Sequence, residues 1–206
     1  MGVVAKNPKI YDLVATSVQV EKIATGFTFT EGPIWHPGGY LLFSDIPMDV
    51  RRKWTEDGGI VEVMKPANKC NGMTLDADLN LVVSEHSPSQ VVRAKLNVDG
   101  TEASRETLAS HYRGKELNSP DDVIVGSDGS IYFTDPIYGR MDVYGNPREQ
   151  DLAFQGLYRI ANGSGELQLL ADELRLLAPC PRDDAYGYRP VYELISVERP
   201  PVLLTL

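Results

Sequence analysis

Glu31, Asn71 and Asp121 open three stretches of the chain that align without a gap. Residues 31–46 read EGPIWHPGGYLLFSDI, residues 71–86 read NGMTLDADLNLVVSEH, and residues 121–136 read DDVIVGSDGSIYFTDP. Each opening residue carries a side-chain oxygen at the same register. Oxygen donors of this kind, gathered round one axis, suit Ca2+, which takes 6–8 oxygen ligands. Polar residues at strand starts also cap turns, and both readings stand on the residues alone. Each stretch closes on a small hydroxyl residue (Ser44, Ser84, Thr134) and a carboxylate (Asp45, Glu85, Asp135). A carboxylate at a strand end commonly accepts N–H groups from the turn that follows it, and that is the expectation here. His86 follows Glu85 at an apolar-to-polar junction, where a lone histidine serves structure more often than catalysis.

The elements that must position these residues follow from the pattern. Each copy has a polar opening, a short apolar run, a turn of Gly, Asp or Pro, and a second apolar run, which is two strands and a turn. The copies start 40 and 50 residues apart, a spacing typical of solenoids and propellers. The intervening segments supply two more strands per unit. RRKW at 51–54 and IVEVMK at 60–65 flank a Gly-rich turn. QVVRAKLN at 90–97 is followed by ETLAS at 106–110. GLYRI at 156–160 is followed by ELQLLAD at 166–172, after a long loop over 137–155. Four strands per unit make a propeller blade. The fold class predicted is all-β, a β-propeller of the six-bladed type, here with about three complete four-stranded blades in residues 1–174 and a divergent tail over 175–206. Residues 17–27, SVQVEKIATGF, read as an outer strand able to close a ring.

The tail holds five of the chain's 14 prolines and does not continue the repeat. A closed ring of six blades needs roughly 250–300 residues, so a chain of 206 residues is short for one. Hydrophobic content of 42% and charged content of 24% are those of an ordinary globular protein. A net charge of −9 argues against a nucleic-acid partner, which requires a basic face. No run reaches the roughly 18 apolar residues of a membrane span, and no secretory signal opens the chain, so the expected compartment is the cytoplasm. Cys70 and Cys180 are too few for a disulfide framework and read as reduced thiols. Asp76 to Asn80 mimics the start of an EF-hand loop, but Leu81 stands where that loop requires Gly. No phosphate-binding loop, paired-cysteine metal motif or nucleophile elbow occurs.

These motifs carry a family resemblance. FTFTEGPIWHPGGYLLFSD at 27–45, NGMTLD, LVVSEH, LNSPDDVIVGSDGSIYFTDPIYG and REQDLAFQGLYRI together resemble the gluconolactonase, senescence marker protein (regucalcin) and luciferin-regenerating enzyme family, its bacterial gluconolactonases above all. The resemblance spans residues 20–174. It implies a six-bladed propeller that hydrolyses sugar lactones with one divalent cation on its axis, Ca2+ first and Zn2+ or Mg2+ as alternatives. It implies Glu31 as the first metal ligand. It places Asp121 where the family has the Asn of an SPND motif, as second ligand and candidate catalytic base. Asn118, Asn71 and His86 are the candidate substrate-binding residues.

The resemblance also has a boundary. The family's PNGL-type motif, expected to open a fourth blade, has no counterpart after Leu174, and neither does the later Asp that serves as ligand and base. The break fits a truncated or frame-shifted reading. Two functions from different classes follow: a metal-dependent lactonase, impaired by the missing blades, or a non-catalytic propeller fragment that binds a partner. Three blades leave two open edges, and a homo-oligomer of half-rings would cover them.

Overall fold

Every apolar run of the three repeats forms a strand. The computed structural model of the chain describes residues 6–172 with the exception of 14, 18 and 20. The first sheet holds β1 (Thr30–His36), β2 (Tyr40–Asp45), β3 (Val50–Thr55) and β4 (Gly59–Met64), paired antiparallel in sequence order. The second holds β5 (Cys70–Leu75), β6 (Leu81–Glu85), β7 (Gln90–Leu96) and β8 (Glu102–Ala109) in the same order. A two-stranded hairpin of β9 (His111–Tyr112) and β10 (Lys115–Glu116) follows, which the sequence reading did not foresee. The third sheet holds β11 (Val123–Val125), β12 (Ile131–Asp135), β13 (Gly156–Ile160) and β14 (Leu167–Ala171). Three four-stranded antiparallel meanders, built from one repeat, are blades of an unclosed β-propeller.

One expectation needs adjustment. Of the outer strand expected over 17–27, residues 21–27 form none, and Gln19 makes only an isolated bridge. Such a strand needs the exposed edge of another blade to pair with, and no fourth blade exists among the described residues. The tail over 175–206 lies outside the described residues. No helix among the described residues is long and apolar enough to cross a membrane.

Blade packing explains the burial pattern. One core lies between blades 1 and 2 and includes Leu42, Cys70, Met73, Leu81, Val83 and Val92. The other lies between blades 2 and 3 and includes Val82, Val91, Val123, Phe133, Tyr158 and Ile160. Blade 2 is therefore covered on both faces, and all of β6 is buried. In blade 3 only one face is covered, and β12 and β13 alternate between buried and half-buried. The uninterrupted LVV of β6 and the alternating IYF of β12 are the sequence traces of that difference. Trp35 and Ile124 stay exposed on the faces of blades 1 and 3 turned away from blade 2.

At the axis the inner strands come within backbone reach of one another. Gly72 N–H donates to the Asp121 carbonyl at 2.9 Å, joining β5 to the segment that enters β11. A Cβ on Gly72 would sit 2.5 Å from that oxygen. Gly32 has φ +57, and a Cβ there would collide with the Asn71 carbonyl. The Gly after Glu31 and the Gly after Asn71 thus allow neighbouring blades to touch. We expect Gly72→Ala to push blades 2 and 3 apart and to cost about 1–3 kcal/mol, the usual price of overpacking, measured as a shift of the urea unfolding midpoint.

Candidate functional site

The residues that open the repeats lie where β1, β5 and β11 begin. In blades 1 and 2 the register of the inner strand slips just after the opening residue, between Glu31 and Ile34 and between Cys70 and Met73. A bulge of this kind turns a side chain out of the pleat, here toward the axis. Ser44 Oγ donates to the Asn71 carbonyl at 3.1 Å, and Thr134 Oγ1 accepts from Asp122 N–H at 3.1 Å. In blades 1 and 3 the repeated hydroxyl therefore stitches the inner strands from the side, while in blade 2 Ser84 Oγ is buried without a hydrogen-bond partner among the described residues.

The repeated carboxylates hold the chain as it enters the inner strand, not the turn that follows, and this corrects the expectation from sequence. Asp45 Oδ1 accepts the N–H groups of Thr28 and Phe29, each at 3.2 Å. Asp135 accepts those of Asn118 and Ser119, each at 2.8 Å. These amides stand two and three residues ahead of Glu31 and Asp121, so each clasp fixes the approach to its mouth residue. In blade 2 the task is divided. Asp49 accepts from Lys69 N–H at 2.7 Å, while buried Glu85 takes the side-chain amides of Asn68 at 3.0 Å and Gln90 at 2.7 Å and pairs with Arg105.

Asn71, His86 and Asp121 form one hydrogen-bonded group. Asn71 Nδ2 donates to Asp121 Oδ1 and lies 3.2 Å from His86 Nε2, which is 3.0 Å from the same carboxylate oxygen. His86 and Asn71 are buried and Asp121 is half-buried. Glu31 is coupled to the group through charge. Its carboxyl is raised above the ordinary value by burial and then by the charge of Asp121, against the opposing influence of Gly32 N–H and His86. Asp122, which the sequence reading did not single out, is exposed at the surface, yet crowding by protein and then the charges of Asp121 and Glu31 raise its carboxyl to about 7. Its signal in the sequence was the departure from the polar-Gly pair of the first two copies.

Asn118 lies apart from this group. It is fully buried, and its Nδ2 donates to the carbonyls of Asp135 at 3.0 Å and Phe154 at 2.9 Å. Its amide braces the long loop against blade 3.

The donors at the mouth are carboxylate and amide oxygens, the chemistry Ca2+ prefers; burial first and mutual repulsion second raise Glu31 and Asp122, and a cation would relieve the repulsion. Among the described residues, no three carboxylate, imidazole or thiolate groups converge to hold an ion. The donor type fits such a cation, and the donors present would supply only part of its coordination.

Asp135 gives a pH test of the clasp. Burial raises its carboxyl to about 7, against the two amides and Arg140 that favour the ionised form. The neutral form is thus favoured in the folded chain. Its contribution to stability is fully present below the unfolded value near 4 and is lost as pH rises through about 7. Asn at this position keeps one acceptor for two amides and does not titrate. The unfolding free-energy advantage of the wild type over Asp135→Asn should shrink by about 2–3 kcal/mol from pH 5 to pH 8 in chemical denaturation.

Known proteins share this arrangement of repeats. The SMP-30/gluconolactonase/LRE-like region matches residues 29–177. The gluconolactonase of Zymomonas mobilis is 30% identical over 178 residues, covering 80% of this chain and 48% of that protein. An X-ray structure from the Northeast Structural Genomics Consortium, assigned to the gluconolactonases, superposes with a TM-score of 0.74 at 30% identity, covering 82% of this chain and 57% of that one. A Xanthomonas campestris gluconolactonase superposes with a TM-score of 0.64 at 35% identity, covering 71% and 48%. The chain spans about half the length of the relatives it matches.

Proposed function

The chain belongs to the SMP-30/gluconolactonase/LRE-like family, and on that premise we propose that it hydrolyses a sugar lactone at the channel mouth formed by Glu31, Asn71 and Asp121. The observation that carries this reading is the hydrogen-bonded group of Asn71, His86 and Asp121 with Glu31 coupled to it by charge, in a chain 30% identical to a gluconolactonase. A lactone is a cyclic ester, and its hydrolysis needs a stabilised oxyanion and a base for the attacking water.

Glu31 and Asp121 would hold a divalent cation, Ca2+ by the chemistry of the donors. Bound there, the cation would polarise the lactone carbonyl and stabilise negative charge on its oxygen. Asp121 Oδ1 is engaged by Asn71 and His86. The second oxygen of Asp121, Oδ2, would be turned to the cation and the attacking water. The Asn71 amide orients the carboxylate and lines the mouth where the sugar hydroxyls would lie.

Proton release from gluconolactone tests the reading. The purified chain should exceed the spontaneous rate with Ca2+ and return to background with chelator. Glu31→Ala and Asp121→Asn should each lower the rate by at least about tenfold. Background rates with Ca2+, Zn2+ and Mg2+ alike would overturn the proposal.

A further inference from the structure

His86 is 1% exposed, and both of its ring nitrogens face oxygen. Nε2 lies 3.0 Å from Asp121 Oδ1, and Nδ1 lies 2.7 Å from the carbonyl oxygen of Tyr144. A carbonyl oxygen can only accept, so Nδ1 carries a hydrogen in this geometry. Tyr144 belongs to the loop over 137–155, which leaves blade 3 after Asp135 and returns to it at Gly156. Midway it reaches blade 1, where the Tyr144 ring meets the Phe29 ring edge-on at a centroid distance of 5.4 Å.

The loop is seated by two arginines and a glycine. Arg140 donates to the carbonyls of Asn118 at 2.9 Å and Leu117 at 2.6 Å and pairs with Glu116 at 2.9 Å. Arg148 donates to Ser89 Oγ, pairs with Glu116 at 3.3 Å, and bonds the carbonyls of Asn146 at 3.1 Å and His86 at 3.5 Å. Gly139 lies so close to blades 2 and 3 that a Cβ there would collide with the Cβ atoms of His86 and Ser119. Val143, just ahead of Tyr144, has φ +78. A β-branched residue adopts that backbone only where its surroundings over-determine it.

We propose that this loop is a positioning device for Asp121, acting through His86, and that Arg148 is its distal positioning residue. The Tyr144 carbonyl fixes the plane of the imidazole. The imidazole and the Asn71 amide then hold the Asp121 carboxylate in one orientation at the mouth. Arg148 does not touch Asp121 or the His86 ring. It acts by pinning the loop to Ser89, to Glu116 and, at 3.5 Å, to the main-chain carbonyl of His86. The functional consequence rests on the reading of Asp121 as part of a lactone site; the mechanical link from Arg148 to the His86 ring does not.

The test begins with the His86 ring nitrogens, observed by long-range 1H–15N NMR in the cation-free full chain and assigned by their loss in His86→Gln. The wild type should show a ring protonated at Nδ1. Arg148→Ala should replace that signal with a mixture of ring forms while its unfolding midpoint stays near that of the wild type. Its Ca2+ affinity, measured by calorimetry, should fall by about tenfold or more, the usual effect of losing a group that orients a ligand. A wild-type ring bare at Nδ1, or ring signals unchanged in Arg148→Ala, would overturn the proposal. Should the wild type bind no cation and hydrolyse no lactone, the lactonase reading fails, and the ring signals still decide whether the loop holds His86.

Discussion

The hydrogen bond from Gly72 N–H to the Asp121 carbonyl marks the constraint on which the site depends. Two blades can share a backbone hydrogen bond at the axis only if no side chain stands between them. Gly72 meets that condition for blades 2 and 3, and Gly32 meets it for blades 1 and 2. Once the inner strands touch, the residue ahead of each glycine has little freedom left. Asn71 must face Asp121, and Glu31 must face the space they share. The proximity of three acidic and amide side chains, unfavourable on its own, follows from backbone packing that the apolar cores between the blades enforce.

That proximity shapes the electrostatics. Glu31 and Asp122 are each harder to ionise, first because protein displaces water around them and then because Asp121 lies close. Away from the mouth the repeat uses its carboxylates differently. Asp45 and Asp135 are surrounded by amide donors and serve the backbone. One repeat thus contains two acidic positions with different tasks. One set faces other carboxylates at the mouth, and the other holds backbone amides inside the blade, where burial still raises Asp135. The difference lies in the donors around them, since the residue types are the same.

The loop over 137–155 adds a second layer of control. Its strongest contacts run to blade 2 and to the connection between blades 2 and 3, through Arg148 to Ser89 and Arg140 to Leu117 and Asn118. A long connection without regular strands is often functional when it is this well anchored. Here it carries a backbone carbonyl to a buried histidine beside the mouth.

The sequence by itself determined the blades and the register of the mouth. Strand alternation and turn chemistry are local, so three aligned copies were enough to place Glu31, Asn71 and Asp121 at equivalent positions and to connect the chain with its family. Only the tertiary structure decided what each residue faces. Asn118, three residues from Asp121, turned inward to brace the loop. Asp135 and Asp45 clasped the chain that enters the inner strand. Tyr144 supplied a main-chain oxygen, which no side-chain motif announces. The 21–27 segment formed no strand, because a strand requires an edge to pair with as well as a suitable sequence. Contacts such as Arg148 with Ser89 join residues 59 positions apart. They are set by how the blades stack and where the loop lands, and neither is written in the period of a single repeat.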